Sequence, residues 1–264
     1  MRKVLIPLLL LAITCRVSAQ SVKDIKTESI PIAMFQATYA LQLPAFDTKE
    51  LYGLNSTLGG SFVYKTESNW LFTATGSVIF GNKVKGDRIS ILGEGITTVD
   101  GEIIGGSGSM AELTIDQRGL HVQAEAGKLF SCGPNPNCGV FVQAGVGYLR
   151  NRIRVDFPEA MLNTPYPVEG DYQYGYDRMR GGPAFHLESG YLFFSDSRLL
   201  NFSASLEVTY ARTRDLRDYD FRVFDGVPVG RTDPRKRYND FYYGIRISWN
   251  IPTYQRKPQD FYYD

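Results

Sequence analysis

Apolar and polar residues alternate with a period of two in eight separate stretches of the chain. In residues 200–212, for example, Leu206 and Val208 share one face of an extended chain, whereas Ser205 and Glu207 share the other. Because successive side chains of a β-strand point to opposite faces, this pattern predicts strands with one apolar and one polar side. The predicted strands cover residues 31–43, 56–66, 69–81, 119–130, 139–150, 183–193, 200–212 and 241–251.

The connections between these predicted strands alternate between short and long. Strands two and three, four and five, and six and seven are joined by short turns, whereas the other connections are long. The long ones cover residues 44–55, 82–118, 151–182 and 213–240. Short turns at one rim and long loops at the other are typical of membrane β-barrels, in which the short turns face the periplasm. We therefore predict an all-β fold, an eight-stranded antiparallel up-and-down transmembrane β-barrel.

The composition of the polar face favours a membrane barrel over a soluble one. A soluble barrel of the lipocalin kind also alternates, but its water-facing side would be rich in charged residues. Here the polar face is mostly Gly, Ser, Thr, Gln and Ala, which suits the narrow interior of eight strands. In hydrocarbon an open sheet edge has no hydrogen-bond partner, so the first strand must pair with the eighth. Aromatic residues near the strand ends predict girdles at the two bilayer interfaces: Tyr39, Trp70, Phe80, Tyr148, Phe193, Tyr210, Phe241 and Trp249.

Five ionisable residues lie on the polar face near the middle of their strands. They are Glu125, His186, Glu188, Glu207 and Arg246. An unpaired charge inside the barrel would cost several kcal/mol, so we predict a network in which Arg246 pairs with at least one carboxylate. Three carboxylates against one arginine also predict that one carboxylate is protonated or bridged by water. The network is either a structural plug or a path for protons or ions, and the structural plug is favoured.

Cys132 and Cys138 flank the predicted turn between strands four and five. In an exported protein, two cysteines this close predict a disulfide that closes the turn. A metal site is the alternative, but it would need further Cys or His ligands nearby, and the sequence offers none there.

The first residues have the pattern of a secretory signal. Arg2 and Lys3 precede a short apolar run, and residues 17–19 supply small side chains before a cleavage site. A lipoprotein signal ending at Cys15 is the alternative, which the threonine before that cysteine disfavours. We predict a signal peptide at 1–19, a periplasmic segment at 20–29, the barrel at 30–252 and a periplasmic tail at 253–264.

Charge and motif content narrow the classes of function. Of 29 basic and 28 acidic residues, three basic ones fall in the predicted signal peptide, which leaves 26 against 28. Nucleic-acid-binding proteins carry a basic surplus, so no nucleic-acid partner is predicted. The glycine clusters at 93–95 and 105–108 lack the strand and helix of a nucleotide loop, and the aspartates of the last long connection lack EF-hand spacing. We predict no cofactor and no metal site.

With these features the chain resembles the eight-stranded outer-membrane barrels of the OmpA and OmpX type, over residues 30–252. The resemblance rests on strand number, loop asymmetry, aromatic girdles and a lumen ion network. It implies an integral protein of the bacterial outer membrane with both termini in the periplasm, in contact with lipid and lipopolysaccharide. Residues 170–178 and 256–263 are also similar to uncharacterised barrels of bacteria that use type IX secretion. Unlike many family members, the chain continues past its aromatic last strand to Asp264.

The resemblance implies a structural or surface-binding role through long extracellular loops, including that of a subunit of an envelope complex. The alternatives are a small outer-membrane pore or a lipid-modifying barrel enzyme. A nucleophile must lie within hydrogen-bond reach of its base, but Ser189 points away from His186 and Glu188 in an extended chain. We therefore expect no enzymatic activity.

Two groups of residues in the long connections are candidate contact sites. Tyrosines give contact area at low entropic cost, so a tyrosine-rich stretch is a candidate for partner contact, with packing on the barrel rim as the alternative. Its members are Tyr166, Tyr172, Tyr174 and Tyr176. A basic group is a candidate for lipopolysaccharide phosphates, with a hydrated loop as the alternative. Its members are Arg231, Arg235, Lys236 and Arg237.

Overall fold

Eight long strands form the body of the molecule. The computed structural model describes residues 27–85, 91, 100, 103–104, 110–111, 114–156, 177–195, 200–217, 220–222, 228–231 and 235–253. The long strands are β1 (Ile32–Phe46), β2 (Asn55–Lys65), β3 (Trp70–Gly81), β6 (Thr114–Ser131), β7 (Gly139–Asp156), β8 (Arg180–Phe193), β9 (Phe202–Asp215) and β12 (Tyr238–Pro252). The short strands β4 (Ile103–Ile104), β5 (Met110–Ala111), β10 (Asp220–Arg222) and β11 (Pro228–Arg231) lie in the long connections.

The long strands close into an antiparallel barrel in which each pairs with its neighbours in chain order. The ring closes between β1 and β12, where Ala37 lies opposite Trp249. On its other edge β1 pairs with β2, and Ala37 lies opposite Gly60. The short strands form two separate pairs, β4 with β5 and β10 with β11. The predicted fold class and the predicted pairing of the first strand with the last are confirmed.

Several strands extend further toward the long connections than the apolar pattern predicted. β6 begins at Thr114 instead of residue 119, β7 ends at Asp156 instead of residue 150, and β9 ends at Asp215 instead of residue 212. In these extensions the alternation continues, but outward positions carry charged residues such as Arg152. Strand ends in water need no apolar face, so the barrel rises above its apolar band.

The outer surface of the barrel is an apolar band. Outward-facing side chains such as Phe72, Leu206 and Ile247 are about half exposed or more, although they are large and apolar. In β6 the band runs from Leu120 to Phe130, a height of about 25 Å for a tilted strand. This matches the hydrocarbon thickness that membrane barrels cover. The barrel therefore has the exterior of a transmembrane protein.

The lumen is filled by three layers of side chains. An apolar cluster closes the end where the short turns lie, and it includes Met34, Val63, Leu129 and Phe141. A second apolar cluster lies toward the long connections: Ile79, Leu149, Ala184, Ala211 and Tyr242. Between them the lumen holds polar and ionisable side chains from all eight strands. Sequence analysis predicted the polar layer but not the apolar ones.

A short helix covers the lumen at the end of the long connections. Helix α1 (Asp47–Leu51) follows β1 directly, within a connection predicted as a loop. The Thr48 hydroxyl donates to Asp240 Oδ1 at 2.8 Å, and the Asn239 amide donates to Asp47 Oδ2 at 2.6 Å. These bonds hold α1 against the start of β12, with Thr48 and Leu51 buried beneath it.

No helix in the described ranges is long and apolar enough to cross a membrane.

The predicted disulfide between Cys132 and Cys138 is not present, and both cysteines are free. The reason lies in the direction of the two side chains: Cys132 is exposed, whereas Cys138 is buried in the apolar cluster at the short-turn end. The Cys138 thiol donates to the Phe194 carbonyl at 3.3 Å and accepts from the Phe194 amide at 3.2 Å. Burial raises the pKa of the Cys138 thiol, so this cysteine is a packed thiol of the barrel end.

Candidate functional site

The structure brings all five predicted lumen residues together in the polar layer. Glu125 comes from β6, His186 and Glu188 from β8, Glu207 from β9 and Arg246 from β12. All five side chains are buried. The register of β8 and β9 places Glu188 directly opposite Glu207, and the next inward position of β8 holds His186. Two carboxylates so close need a cation nearby.

Arg246 supplies that cation and contacts two of the three carboxylates. Its Nη1 donates to Glu188 Oε2 at 3.1 Å, and its Nη2 lies 2.6 Å from Glu207 Oε2. Neutral donors complete the pairing, because Gln42 Nε2 donates to Glu207 Oε1 and the Ser205 hydroxyl donates to Glu188 Oε1, each at 2.6 Å. Charge-assisted bonds of this length are the strong ones. The pairing joins β1, β8, β9 and β12 across the lumen.

Glu125 is not among the ion pairs of Arg246 and faces His186 instead. Glu125 Oε1 lies 3.5 Å from His186 Nε2, and Gln123 Nε2 donates to Glu125 Oε2 at 3.1 Å. The other ring nitrogen, His186 Nδ1, is hydrogen-bonded to the Thr209 hydroxyl at 2.8 Å. Glu188 Oε2 lies 3.9 Å from the same Nε2. The imidazole edge therefore points at two carboxylates.

A glycine makes this meeting of Glu125 and His186 across β7 feasible. Gly145 of β7 lies opposite Glu125 on one side and opposite His186 on the other. A Cβ at Gly145 would come within 2.6 Å of Glu125 Cγ and 2.1 Å of the Ala124 carbonyl oxygen. Any other residue there would occupy the space that the two side chains use, so the glycine lets β6 and β8 present one site.

Among the described residues, three of these lumen side chains could together hold a metal ion. Each offers one ligand atom, and the three atoms lie within 4.8 Å of one another; the residues are Glu125, His186 and Glu188. A second histidine, His121, lies beside them with its ring centroid 5.8 Å from that of His186. Sequence analysis placed these residues on the lumen face but had no means of predicting their mutual distances, because they come from different strands.

The residues that a barrel hydrolase would need are on opposite sides of the wall. Ser189 is exposed on the outer surface, whereas His186 and Glu188 are buried in the lumen. The backbone carbonyl of His121 accepts from the Ser77 hydroxyl at 3.4 Å, a contact that leaves the His121 ring uninvolved. The geometry of the described residues therefore offers no serine paired with a histidine ring.

The predicted contact groups of the long connections are only partly described. Arg235, Lys236 and Arg237 are exposed just before β12, and Lys236 Nζ lies 5.0 Å from the Tyr238 ring centroid. The side chain of Arg231 lies outside the described residues. The tyrosines Tyr166, Tyr172, Tyr174 and Tyr176 lie outside them as well. Of the residues that carry the second resemblance, 170–178 and 256–263, only 177 and 178 are described.

Sequence analysis missed a row of arginines on the outer surface above the apolar band. Arg118 of β6 lies opposite Arg152 of β7, and the next outward positions of β7 hold Arg150 and Arg154. On β9 the outward positions beyond Tyr210 hold two more, Arg212 and Arg214. Asp116 pairs with Arg118 at 2.9 Å and Asp156 pairs with Arg154 at 2.8 Å. The signal was present, since these arginines continue the period of two past the predicted strand ends.

The inward side of the same rim is held by further ion pairs. Arg180 Nε lies 3.4 Å from Asp215 Oδ1, and its guanidinium carbon lies 3.5 Å from the Tyr238 ring centroid. Asp177, just before β8, pairs with Arg217. Burial raises the pKa of Asp177, and the Arg217 charge opposes that rise. These contacts tie the ends of β8, β9 and β12 together.

Comparison with known proteins gives matches in structure only. No protein-family model matches the chain, and no curated protein matches it in sequence. Ail, the attachment invasion locus protein of Yersinia pestis, is similar in two solved structures. In complex with the heparin analogue sucrose octasulfate it has a TM-score of 0.40 at 10% identity, and alone a TM-score of 0.38 at 8% identity. Each match covers 84% of this chain and 99% of that one.

Neisserial surface protein A, NspA, is also similar, with a TM-score of 0.38 at 13% identity over 81% of this chain and 96% of that one. The structure confirms the predicted likeness to small eight-stranded barrels. It has eight long strands, they close into a ring, and their apolar face points outward.

Proposed function

We propose that this chain is an integral outer-membrane protein whose barrel does not conduct and instead anchors its long connections at the cell surface. The observation that carries the proposal is the filling of the lumen: two apolar clusters lie on either side of an ion-paired layer. Water and ions would have to displace packed side chains at both ends. Such an interior supports a structural plug over a proton or ion path.

The orientation follows from the positions of the turns. The short turns, residue 27 and residue 253 lie at the same rim, because β1 starts there and β12 ends there. In outer-membrane barrels the short turns face the periplasm. We infer that both ends of the chain are periplasmic and that α1 and the row of arginines face the outside.

The row of arginines supports lipopolysaccharide as a partner. Arg150 lies one outward position above Tyr148, an aromatic residue of the kind that marks a bilayer interface. Guanidinium groups at that height are level with lipid phosphates, which they bind in bidentate fashion. The candidate contact that the sequence predicts at Arg231, Arg235, Lys236 and Arg237 is thus extended, as a proposal, to Arg118, Arg150, Arg152 and Arg154. Binding of other envelope proteins by the long connections remains part of the proposal.

We also propose that the protein is not an enzyme. The support is the separation of Ser189 on the lipid-facing side from His186 and Glu188 in the lumen. A general base cannot activate a hydroxyl beyond hydrogen-bond reach. Lipid A mass spectra from cells with and without the gene would test this, and the expected result is identical spectra.

Conductance in planar bilayers tests the proposed function. Folded protein, verified by its heat-modifiable mobility in gel electrophoresis, should give no stepwise current. A variant with Phe141→Ala and Tyr242→Ala, which truncates one large side chain in each apolar cluster, serves as the comparison and should conduct more than the unchanged chain. Reproducible single-channel steps from the unchanged chain would contradict the proposal.

A further inference from the structure

We propose that the lumen holds one divalent transition-metal ion, of the Zn²⁺ type, bound by Glu125 Oε1, His186 Nε2 and Glu188 Oε2. These three atoms, from β6 and β8, lie within 4.8 Å of one another. His186 is 0% exposed, and neither its Nε2 nor Glu125 Oε1 has a hydrogen-bond partner among the described residues. Buried polar atoms are normally satisfied, so a bound ion between these two facing atoms would give each of them a partner.

The distances fit ligands of a metal better than a hydrogen bond. A charge-assisted N–H···O bond is about 2.7–2.9 Å long, whereas Nε2 and Glu125 Oε1 are 3.5 Å apart. Two ligands about 2.0–2.1 Å from a tetrahedral Zn²⁺ lie about 3.4 Å from each other. The 3.9 Å separation of Nε2 from Glu188 Oε2 is close to the same value. Small rotations of the two carboxylates would complete the geometry.

The surroundings of His186 suit a metal ligand. His186 Nδ1 is hydrogen-bonded to the Thr209 hydroxyl at 2.8 Å, and in the tautomer in which Nδ1 donates this bond the lone pair lies on Nε2, the atom that faces the carboxylates. Metal-binding histidines usually donate their second ring nitrogen in this way, which fixes the tautomer and the ring direction. One imidazole with carboxylates is a donor set that zinc accepts. The ring centroid of His121 lies 5.8 Å from that of His186, which makes His121 a candidate fourth ligand.

The charge of the polar layer also calls for a cation. The layer holds three carboxyl groups, those of Glu125, Glu188 and Glu207, against the single guanidinium of Arg246. One divalent ion would balance the negative charge of carboxylates that Arg246 does not neutralise. Lys65, a further buried cation of the lumen, lies at the short-turn end and donates to the Ile30 carbonyl at 3.1 Å, away from this layer. Arg246 Nη1 donates to the same Glu188 Oε2 at 3.1 Å, so this oxygen would be shared between the ion and the guanidinium, whose Nη2 contacts Glu207.

The closed lumen determines how the ion would enter. A small cavity of about 20 Å³ adjoins Glu188, but apolar side chains including Met34, Leu71 and Leu192 line its other side. An ion from solution would have to pass one of the two apolar clusters. The metal is therefore taken up while the barrel folds, so that metal binding and folding are coupled.

The experiment uses the full chain, unfolded in urea and refolded into detergent with either EDTA or Zn²⁺, then washed and measured for bound zinc and thermal stability. The expected result is one zinc per folded chain and a higher melting temperature than the EDTA sample. Glu125→Gln, which removes a ligand charge without changing the volume, should lower zinc retention about tenfold or more. The matched control is Glu207→Gln, which removes a lumen carboxylate outside the proposed ligand set and should retain zinc.

Three outcomes would overturn the proposal. One is an unchanged chain that retains no zinc. Another is equal loss of zinc in Glu125→Gln and Glu207→Gln, which would mean a general charge effect. If Glu125→Gln does not fold, X-ray absorption of the zinc-loaded unchanged chain decides the matter. The expected spectrum contains imidazole scattering with ligands at about 2.0 Å, and a spectrum without imidazole is the third overturning outcome.

Discussion

The absence of a side chain at Gly145 is as important to the lumen as the charges around it. Gly145 lies between Glu125 and His186 in register, and the space above it is where those two side chains meet. Sequence analysis identified both ionisable residues as inward-facing from the alternation alone. It had no means of assigning their contact to a glycine, because strand register depends on the pairing of the whole sheet.

Filling that space should destabilise the barrel. Gly145→Val would force atoms into Glu125 Cγ and the Ala124 carbonyl oxygen, at a cost of about 1–3 kcal/mol or more. The matched control is Gly76→Val on β3, because a Cβ at Gly76 would meet no atom within 4 Å. Thermal unfolding in detergent should show a lower midpoint for Gly145→Val and little change for Gly76→Val. Equal midpoints for the two variants would disprove the packing argument.

Arg246→Leu should lower the stability of the barrel by about 3–5 kcal/mol, because Glu188 and Glu207 would lose their shared cation in a buried layer. Ser248→Ala changes the next inward position of β12 without touching these carboxylates and serves as the control. Urea unfolding monitored by electrophoretic mobility would measure the difference. An unchanged unfolding midpoint in Arg246→Leu would show that the ion pairs of Arg246 do not stabilise the barrel.

The two cysteines should differ in reactivity. A maleimide should label exposed Cys132 in the folded protein without reductant, whereas Cys138 should react only after unfolding. Its burial and the raised pKa of its thiol both disfavour the reactive thiolate. Mass spectrometry of labelled peptides would assign the sites. If the protein is purified without reductant and neither cysteine reacts with maleimide even after unfolding, the two cysteines are not free.

At the scale of elements, the strand ends beyond the apolar band carry the chemistry that faces the outside. The period of two predicts β7 correctly through its apolar part, and the same period continues through Arg150, Arg152 and Arg154 to the end of the strand. Arg118 and Arg152 lie directly opposite each other, an unfavourable arrangement of like charges that the ion pair of Arg118 with Asp116, 2.9 Å long, offsets in part. In the proposed orientation, a lipid phosphate would be a further anion for the row of arginines.

Replacing Arg118 and Arg152 together by Gln should reduce the stabilisation of the barrel by lipopolysaccharide. We expect added lipopolysaccharide to raise the melting temperature of the unchanged chain and to raise that of the double variant less. The effect should weaken in high salt, because exposed charges are screened. Lys49→Gln with Lys83→Gln, an equal change in charge at two exposed residues near α1, is the control. An equal rise in all three proteins would contradict a phosphate site in the row of arginines.

At the scale of the whole molecule, the alternation and the composition of the polar face together predict the closed membrane barrel but not its filling. Because the polar face has few charged residues, the apolar faces are expected to turn toward lipid, and closure then follows from backbone hydrogen bonding. The apolar clusters inside were not predicted because Leu71, Phe141 and Leu192 occupy inward positions that the pattern reserves for polar residues. Helix α1 was missed because five residues carry too little periodicity to distinguish a helix from a loop.

The contact of the outer face with acyl chains is the central claim, and the two tryptophans of the chain test it most directly. Trp70 and Trp249 face outward near the short-turn rim, 47% and 46% exposed. In vesicles of brominated lipids, bromine near the headgroups should quench their fluorescence strongly, and bromine near the chain ends should quench it less. Two results together would contradict a membrane-spanning barrel. The protein would fold in buffer without detergent or lipid, and brominated lipids would leave its tryptophan fluorescence unchanged.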